Sequence, residues 1–255
     1  MMHLFDSHCH MDDPAFDADR RELLCSLPSK GVENILWCGT NLTSCRTALA
    51  YAESFDYIYC ACGFYPHETA EMDGDALAAL TEMLNHPKCA AVGEIGLDYH
   101  YDGVPRKAQL EALRRQLDMA ARADKPVILH ERDALPDMLS LLRERGTTKG
   151  VVHCFSGSRE TAREYLDLGL YISFTGLITF KSARLAPEAA AYAPRDRVLI
   201  ETDSPYMTPV PFRGERNDPS RVAIVNARLA ELWQLSPEET AVITRDNARR
   251  LFGIE

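Results

Sequence analysis

Two histidines stand two residues apart near the N-terminus, in the segment Asp6-Ser7-His8-Cys9-His10. The apolar residues before them are typical of a buried strand. Because side chains alternate along a strand, the first, third and fifth residues of this segment should point to one face. Two imidazoles at a strand end can bind one metal ion, but the same pattern also suits two ordinary polar histidines.

Four further residues with metal-binding side chains follow other β-like segments. They are Glu94, His130, His153 and Asp203. The carboxyl ends of all strands meet at one face of a (β/α)8 barrel, so these side chains should converge on the two N-terminal histidines. Each of them alone could form an ion pair or cap a helix. Together, so many charged groups at one dry barrel mouth require a cation to neutralise them.

Four imidazoles and two carboxylates exceed the three protein ligands that a single catalytic zinc typically has. The set therefore predicts two divalent metal ions about 3.5–4 Å apart, bridged by a carboxylate and sharing a reactive hydroxide. Imidazole and carboxylate ligands suit Zn, Mn, Ni or, less well, Mg, and the sequence does not distinguish among these metals.

Short apolar segments alternate with helical patterns along the chain, which is typical of βαβ units. The predicted strands are residues 4–7, 34–38, 57–61, 90–95, 126–130, 150–153, 171–174 and 198–201. Eight such strands predict an α/β fold, a (β/α)8 TIM barrel in which residues 1–255 form a single domain. An open doubly wound sheet shows the same alternation, but no glycine-rich phosphate loop follows the first strand to support it.

The helical patterns also predict where several helices begin. Residues 109–123 should form an outer helix, and the next helix should begin after a cap by Asp133. Asp218 and Pro219 should begin a later helix in a similar way. A capping box of Ser236 with Glu239 should begin the final helix, which we expect to pack outside the barrel.

Composition limits the partners and the compartment. The formal net charge of −10 disfavours gripping a long polyanion through many phosphate contacts, but it does not exclude a nuclease with a local basic pocket. The sequence shows no apolar run of about 20 residues and no N-terminal signal pattern, so we expect a cytoplasmic protein with no membrane partner. No obligate protein partner is evident. The eight cysteines form no CxxC pair, which predicts reduced, buried thiols.

Five segments of this chain resemble the signature motifs of TatD-type metal-dependent deoxyribonucleases, a branch of the amidohydrolase superfamily. They are Asp6-Ser7-His8-Cys9-His10, Gly93-Glu94-Ile95-Gly96-Leu97-Asp98-Tyr99, His130-Glu131-Arg132-Asp133-Ala134, His153-Cys154-Phe155-Ser156-Gly157-Ser158 and Glu201-Thr202-Asp203-Ser204-Pro205-Tyr206. The resemblance runs in order from Asp6 to Asn247, and the motifs in combination are specific.

The resemblance implies a TIM barrel with two metal sites that share Glu94. One site would consist of His8, His10, Glu94 and Asp203, and the other of Glu94, His130 and His153. The resemblance also implies hydrolysis of phosphodiester bonds in DNA, typically as a 3′-to-5′ exonuclease that prefers single strands. Glu94 and Asp203 would be the catalytic carboxylates, with Asp203 orienting or deprotonating the attacking water.

Residues beside these motifs are candidates for binding a substrate phosphate. Arg132 could clamp a phosphate or pair with a nearby acid. Backbone N–H groups at Ser156 and Gly157 could bind one, unless Ser158 is simply a helix cap. Arg213 and Arg216 lie on the loop after the last strand, where barrels often bind phosphate, although a solvated loop charge is the alternative.

Some further positions match the family pattern and others depart from it. His67 matches a family motif and is expected to contact substrate, and Asp6 is expected to fix a ligand imidazole. Many relatives carry His at the position of Tyr65, and many carry Lys and Glu at the positions of Glu215 and Asp218. These departures leave the metal residues unchanged and bear on the substrate, because Glu215 removes a positive charge from a loop that could meet a polyanion.

Two other functions fit the same residues. The chain could hydrolyse an ester or amide in a small metabolite or an aminoacyl-RNA, because the same hydroxide attacks either electrophile. It could also be a non-enzymatic interaction protein with structural ions, although a barrel of this length should not need metal to form a core. Single-stranded DNA or a small phosphodiester is the substrate that we expect.

Overall fold

The computed structural model describes residues 2–146 and 148–254. Eight strands form one sheet in which each strand pairs in parallel with the next along the chain. The strands are β1 Leu4–Cys9, β2 Val32–Cys38, β3 Ile58–Cys62, β4 Cys89–Asp98, β5 Val127–Arg132, β6 Gly150–Val152, β7 Tyr171–Phe174 and β8 Val198–Ile200. A parallel bridge between Cys9 and Ser204 joins the two edges of the sheet. The predicted (β/α)8 barrel is therefore confirmed.

Helices alternate with these strands around the outside. The α-helices of the described residues are α1 Arg20–Ser26, α2 Leu42–Ser54, α3 Gly74–Leu84, α4 Arg106–Ala123, α5 Leu135–Arg145, α6 Arg159–Asp167, α7 Leu185–Tyr192, α8 Val222–Trp233 and α9 Pro237–Phe252. None of the helices that the structure describes is long and apolar enough to cross a membrane.

Two apolar layers hold the barrel together. The larger layer lies between the strands and the surrounding helices. The smaller layer fills the barrel and takes residues from every strand, such as Phe5, Ile128 and Leu199. Phe252 and Ile254 at the C-terminal end join this inner layer, and the Phe252 ring lies 6.1 Å from that of Phe5. The expectation that the final helix packs wholly outside was therefore wrong at its last turn.

Strand β4 is longer than the sequence pattern predicts. Its pairing with β5 continues through Gly96, Leu97 and Asp98, so Glu94 lies within the strand and Asp98 ends it. Helix α4, which follows β4 along the chain, begins at Arg106, three residues earlier than predicted. Its buried Gln109 accepts a hydrogen bond from the backbone N–H of Asp98 at 2.9 Å. The spacing of apolar residues in the sequence does not predict this contact between a polar side chain and the backbone.

The predicted helix starts had mixed outcomes. The capping box is confirmed, since Ser236 Oγ accepts from Glu239 N at 3.2 Å and Glu239 Oε2 accepts from Ser236 N at 2.9 Å. Asp218 caps a short 3-10 turn that leads into α8. Asp133 does not cap α5, because its backbone has a positive φ of 56° and its carboxylate lies 3.0 Å from His100 Nδ1. Glu131 instead accepts the N–H of Ala134.

The cysteines are free thiols, as predicted. Six of them are buried, whereas Cys154 is partly accessible and Cys25 is exposed. Burial was thus predicted correctly for most of these thiols and wrongly for Cys25.

Candidate metal centre

The carboxylate of Glu94 lies at the centre of the barrel mouth and is only 3% exposed. Its Oε1 atom is 2.8 Å from His130 Nδ1 and 2.9 Å from His153 Nε2. Its Oε2 atom is 3.3 Å from the Nε2 atoms of both His8 and His10. Each carboxylate oxygen therefore faces its own pair of imidazole nitrogens.

The nitrogens within each pair also face one another. His8 Nε2 lies 3.0 Å from His10 Nε2, and His130 Nδ1 lies 3.1 Å from His153 Nε2. Together with Glu94, each pair places three possible ligand atoms within 4.8 Å of one another. Two such sets with one shared carboxylate are the donor arrangement that two bridged divalent cations require.

Asp203 joins the set that contains the two N-terminal histidines. Its Oδ1 atom lies 3.5 Å from His10 Nε2 and 3.7 Å from His8 Nε2. The backbone has a positive φ of 55° here, and the Asp203 N–H donates to the carbonyl of His8 at 2.9 Å. The backbone contact between β1 and the segment after β8 thus brings this carboxylate to the mouth. All six residues expected from the sequence converge at one place.

The outer nitrogens of three rings have partners that fix their orientation. His10 Nδ1 lies 3.0 Å from the carbonyl of Cys38. A carbonyl only accepts, so the neutral ring carries its proton on Nδ1, which leaves the Nε2 lone pair to bind a metal. His130 Nε2 lies 3.2 Å from Asp98 Oδ2, and His153 Nδ1 lies 3.3 Å from Glu201 Oε1. Asp98 therefore orients His130, and Glu201 lies within ion-pair distance of His153.

These two acids were not predicted from the sequence, and Asp6 was expected in their place. The Asp6 carboxylate instead accepts hydrogen bonds from the N–H and the hydroxyl of Thr202. The reason is a register shift between β1 and β2 after Asp6, which breaks the strict alternation of side chains. The position of Asp98 could have been predicted from the sequence, because its even spacing from Glu94 places both side chains on one face of β4.

Burial and mutual attraction shift the pKa values of these groups in opposite directions. Burial would raise the pKa of Glu94, but the imidazoles of His153, His10 and His130 hold it well below its usual range. Burial would lower the pKa of His10, yet hydrogen bonds with Asp203 and Glu94 raise it well above its usual range. Divalent cations bound by these side chains would replace the ring protons, so metal binding is expected to release protons.

Two of the expected substrate residues border the centre. Arg132 is exposed and its Nη1 donates to Tyr101 Oη at 3.2 Å, with the guanidinium 5.0 Å from the Tyr101 ring centre. The His67 side chain is 18% exposed, and its Nε2 lies 4.0 Å from Asp98 Oδ1. His67 is thus adjacent to Asp98, which contacts His130, and Arg132 follows His130 by two residues on β5.

The two expected arginines of the last loop contact other protein groups, and the helix start after Ser156 and Gly157 is capped by Ser158. Ser158 Oγ caps α6 by accepting from Thr161 N at 3.3 Å, while Ser156 is exposed and Gly157 is partly buried. Arg216 donates to both carboxylate oxygens of Asp19 at 2.7 Å. Arg213 lies 3.9 Å from the centre of the Phe180 ring. Arg216 is therefore an ion-paired residue and not a solvated loop charge.

Comparisons with known proteins agree along the full chain. A family model described as TatD-related DNase matches residues 5–253. A metal-dependent hydrolase of Bacillus subtilis, YabD, is 42% identical over 253 residues, which is 98% of this chain and 99% of YabD. The 3′-5′ ssDNA/RNA exonuclease TatD of Citrobacter rodentium is 32% identical and covers 98% of each chain.

A solved structure supports the same assignment. The crystal structure of YjjV, a TatD homologue of Escherichia coli, superposes with a TM-score of 0.92 at 34% identity. The match covers 99% of this chain and 98% of that one. The chain therefore belongs to the TatD family of metal-dependent hydrolases.

Proposed function

We propose that this protein is a 3′-to-5′ exonuclease that cleaves phosphodiester bonds in single-stranded DNA with the help of two divalent cations. The observation that carries the proposal is the position of Glu94, whose two oxygens each face one imidazole pair. His8, His10, Glu94 and Asp203 would hold one ion. Glu94, His130 and His153 would hold the other. The name of the Citrobacter rodentium relative supports the choice of substrate.

The cations, when bound, supply Lewis acidity toward a water molecule and a phosphoryl oxygen. Asp203 has the accessibility to act on that water, since its side chain is 13% exposed whereas that of Glu94 is 4% exposed. Asp203 would orient the water and accept its proton, while Glu94 would act as the bridging ligand. Asp98 and Glu201 would keep the rings of His130 and His153 in place.

Two exposed aromatic rings at the mouth suit a single-stranded nucleic acid. Tyr101 and Tyr206 are each 55% exposed. The Tyr206 ring lies 6.3 Å from that of His10, and the Tyr101 ring lies 6.0 Å from that of His67. Unpaired bases stack on such rings, and the neighbouring Arg132 guanidinium can bind a phosphate. One ring lies beside His10 and the other beside His67, so the two rings could contact different bases of one strand.

Charge favours a short contact with the strand. The net charge of −10 and the pairing of Arg216 with Asp19 leave few free positive charges to follow a long phosphate backbone. Glu215 accepts a hydrogen bond from Arg221 at 2.7 Å. The positive charge of Arg221 is therefore paired and is not free to bind a phosphate. We infer that the enzyme binds the 3′ end of a strand rather than the length of a duplex. Free thiols fit a reducing, cytoplasmic location.

The same lack of basic surface favours a second candidate, the hydrolysis of a small ester, amide or phosphodiester. The two candidate functions differ in whether the substrate contacts the exposed tyrosines. A strand would use Tyr101 and Tyr206 as stacking surfaces, whereas a small substrate would fill only the space around Glu94 and Asp203. Phosphodiester, ester and amide substrates assayed side by side distinguish them.

The direct test is cleavage of a single-stranded oligonucleotide labelled at its 5′ end. The protein is stripped with a chelator and reloaded with Mg²⁺, Mn²⁺, Ni²⁺ or Zn²⁺ in turn, with the Asp203→Asn variant alongside. We expect stepwise shortening from the 3′ end that the variant lacks. A loaded wild-type protein that leaves every oligonucleotide intact but cleaves a small ester or amide would refute the nuclease proposal.

A further inference from the structure

Three buried thiols meet on the side of the sheet that faces the helices. Cys60 and Cys62 stand two residues apart on β3, so both point to the same face. Cys89 begins β4 and is the direct neighbour of Cys60 in the strand register. All three are fully buried in the layer between the strands and the helices, with Ala48 of α2 and Leu80 of α3 in the same layer.

The spacing of the sulfur atoms suits a single metal ion. The three Sγ atoms lie within 4.8 Å of one another. A metal–sulfur bond of about 2.3 Å places ligand sulfurs about 3.8–4.0 Å apart in tetrahedral or trigonal geometry. A shift of about 1 Å or less would therefore bring the thiols into coordination. The Cys45 thiol is close to Cys62 but is held by Gly63, whose N–H donates to Cys45 Sγ at 3.4 Å.

The ligand type and the neighbouring lysine also suit a thiophilic cation bound by thiolates. The cluster offers sulfur alone, which selects thiophilic ions over Mg²⁺ or Mn²⁺. Lys125 Nζ, 2.6 Å from the carbonyl of Cys89, would offset the net negative charge of three thiolate ligands around one such ion.

We propose that Cys60, Cys62 and Cys89 form a structural site for one closed-shell thiophilic cation, of the Zn²⁺ or Cu⁺ type, separate from the hydrolytic centre. Binding releases the three thiol protons and forms three metal–sulfur bonds, with no change of oxidation state. The three thiols are buried, so a substrate could not reach the ion even where three ligands leave a coordination position empty. Its effect would be to fix β3 and β4 together beneath α2 and α3.

The test uses the full-length protein, purified under reducing conditions and treated with a chelator. Cd²⁺, as a reporter for Zn²⁺, and Cu⁺ are titrated separately while the ultraviolet sulfur-to-metal charge-transfer band is recorded. Imidazole and carboxylate ligands do not give this band, so the hydrolytic centre does not contribute. We expect the band to saturate at one ion per chain with at least one of the two ions, and to remain in a His8→Ala, His130→Ala double variant.

Variants locate the site. Cys60→Ala and Cys89→Ala should lose most of the band, whereas the exposed-thiol control Cys25→Ser should keep it. X-ray absorption of the wild-type protein, which needs no variant, should show a sulfur-only shell around that ion. The proposal is overturned if neither ion gives the band, even after refolding in its presence. It is also overturned if both alanine variants keep the band, or if the wild-type thiols are found joined as a disulfide.

Discussion

The Asp6 carboxylate accepts two hydrogen bonds from Thr202, one from the backbone N–H at 2.8 Å and one from the hydroxyl at 2.6 Å. Both residues are buried, and the pair joins the first barrel strand to the segment that follows the last. The neighbouring Asp203 depends on the same closure, because its N–H donates to the carbonyl of His8. The contacts that close the barrel therefore also position a candidate catalytic carboxylate.

Replacing Asp6 by Ala should destabilise the barrel and displace Asp203. The variant leaves the N–H and the hydroxyl of Thr202 buried without their acceptor, at a cost of about 1–3 kcal/mol for each group. Chemical denaturation should show this loss, and the activity of the folded fraction should fall as well. The matched control is Asp17→Ala, an exposed acid paired with Arg20, which should change neither. Full activity in folded Asp6→Ala protein would contradict the link to Asp203.

Asp98→Asn should weaken metal binding without unfolding the protein. The substitution removes the negative charge beside His130 Nε2, and loss of such a partner typically costs about 10- to 100-fold in metal affinity or activity. The control is Tyr65→Phe, which removes the hydroxyl that donates to Asp98 at 2.6 Å but keeps the ring. We expect the smaller effect there. The metal concentration that gives half-maximal activity is the readout, and equal values in wild type and Asp98→Asn would count against the role of Asp98.

The candidate ligands could be predicted from the sequence because they follow a repeating pattern. His130 and His153 stand at the ends of recognisable apolar segments, and barrel geometry places all such ends at one face. The position of Glu201 beside His153 could not be predicted in this way. Glu201 reaches His153 across the mouth and also accepts the N–H of Cys154 at 2.7 Å, so its role depends on the packing of distant segments.

The same limit applies to the arginines. The sequence shows that Arg216 lies on a loop after the last strand, but it does not show that the loop reaches Asp19 at the start of α1. Nor does an apolar pattern reveal that the C-terminal end supplies Phe252 to the inside of the barrel. Local patterns predicted the elements, whereas contacts between residues about 200 positions apart needed the fold.

Tyr101→Ala should weaken the binding of single-stranded DNA more than it slows cleavage. Loss of one stacked base typically costs about 1–3 kcal/mol, which corresponds to a KM increase of about 5- to 150-fold. Tyr101→Phe keeps the ring and should retain nearly the wild-type KM. Steady-state kinetics on oligonucleotides give KM and kcat separately. Unchanged KM in the alanine variant, with normal cleavage, would show that this ring does not contact the strand.

The metal-free protein should lose stability as the pH rises, unlike the metal-loaded protein. Carboxylates raise the pKa of His10, His130 and His153 above the ordinary value of 6.5, despite the opposing effect of burial. A raised histidine pKa gives stability that is fully present below pH 6.5 and lost as the pH rises through the folded-state values. Bound cations replace these protons, and metal affinity increases with pH.

Thermal unfolding of chelated and reloaded protein across about pH 5.5 to 9 measures this difference. The Tm of the metal-free protein should fall over the upper part of this range, and the stabilisation by metal should grow. The lowered pKa of Glu94 has the opposite sign, so its contribution is lost only as the pH falls below its ordinary value of 4.5. A metal-free protein whose Tm rises steadily toward pH 9 would contradict the proposed balance of charges.

Glu94 is proposed to bridge two ions that are both needed for hydrolysis. The most direct measurement counts bound ions by mass spectrometry and records oligonucleotide cleavage on the same samples, for wild type and for Glu94→Gln. We predict two ions and full activity in the wild type. Glu94→Gln should bind no more than one ion and lose activity by a factor on the order of 100 or more. A wild-type protein fully active with one ion, or a variant that keeps two ions and its full rate, would contradict the account.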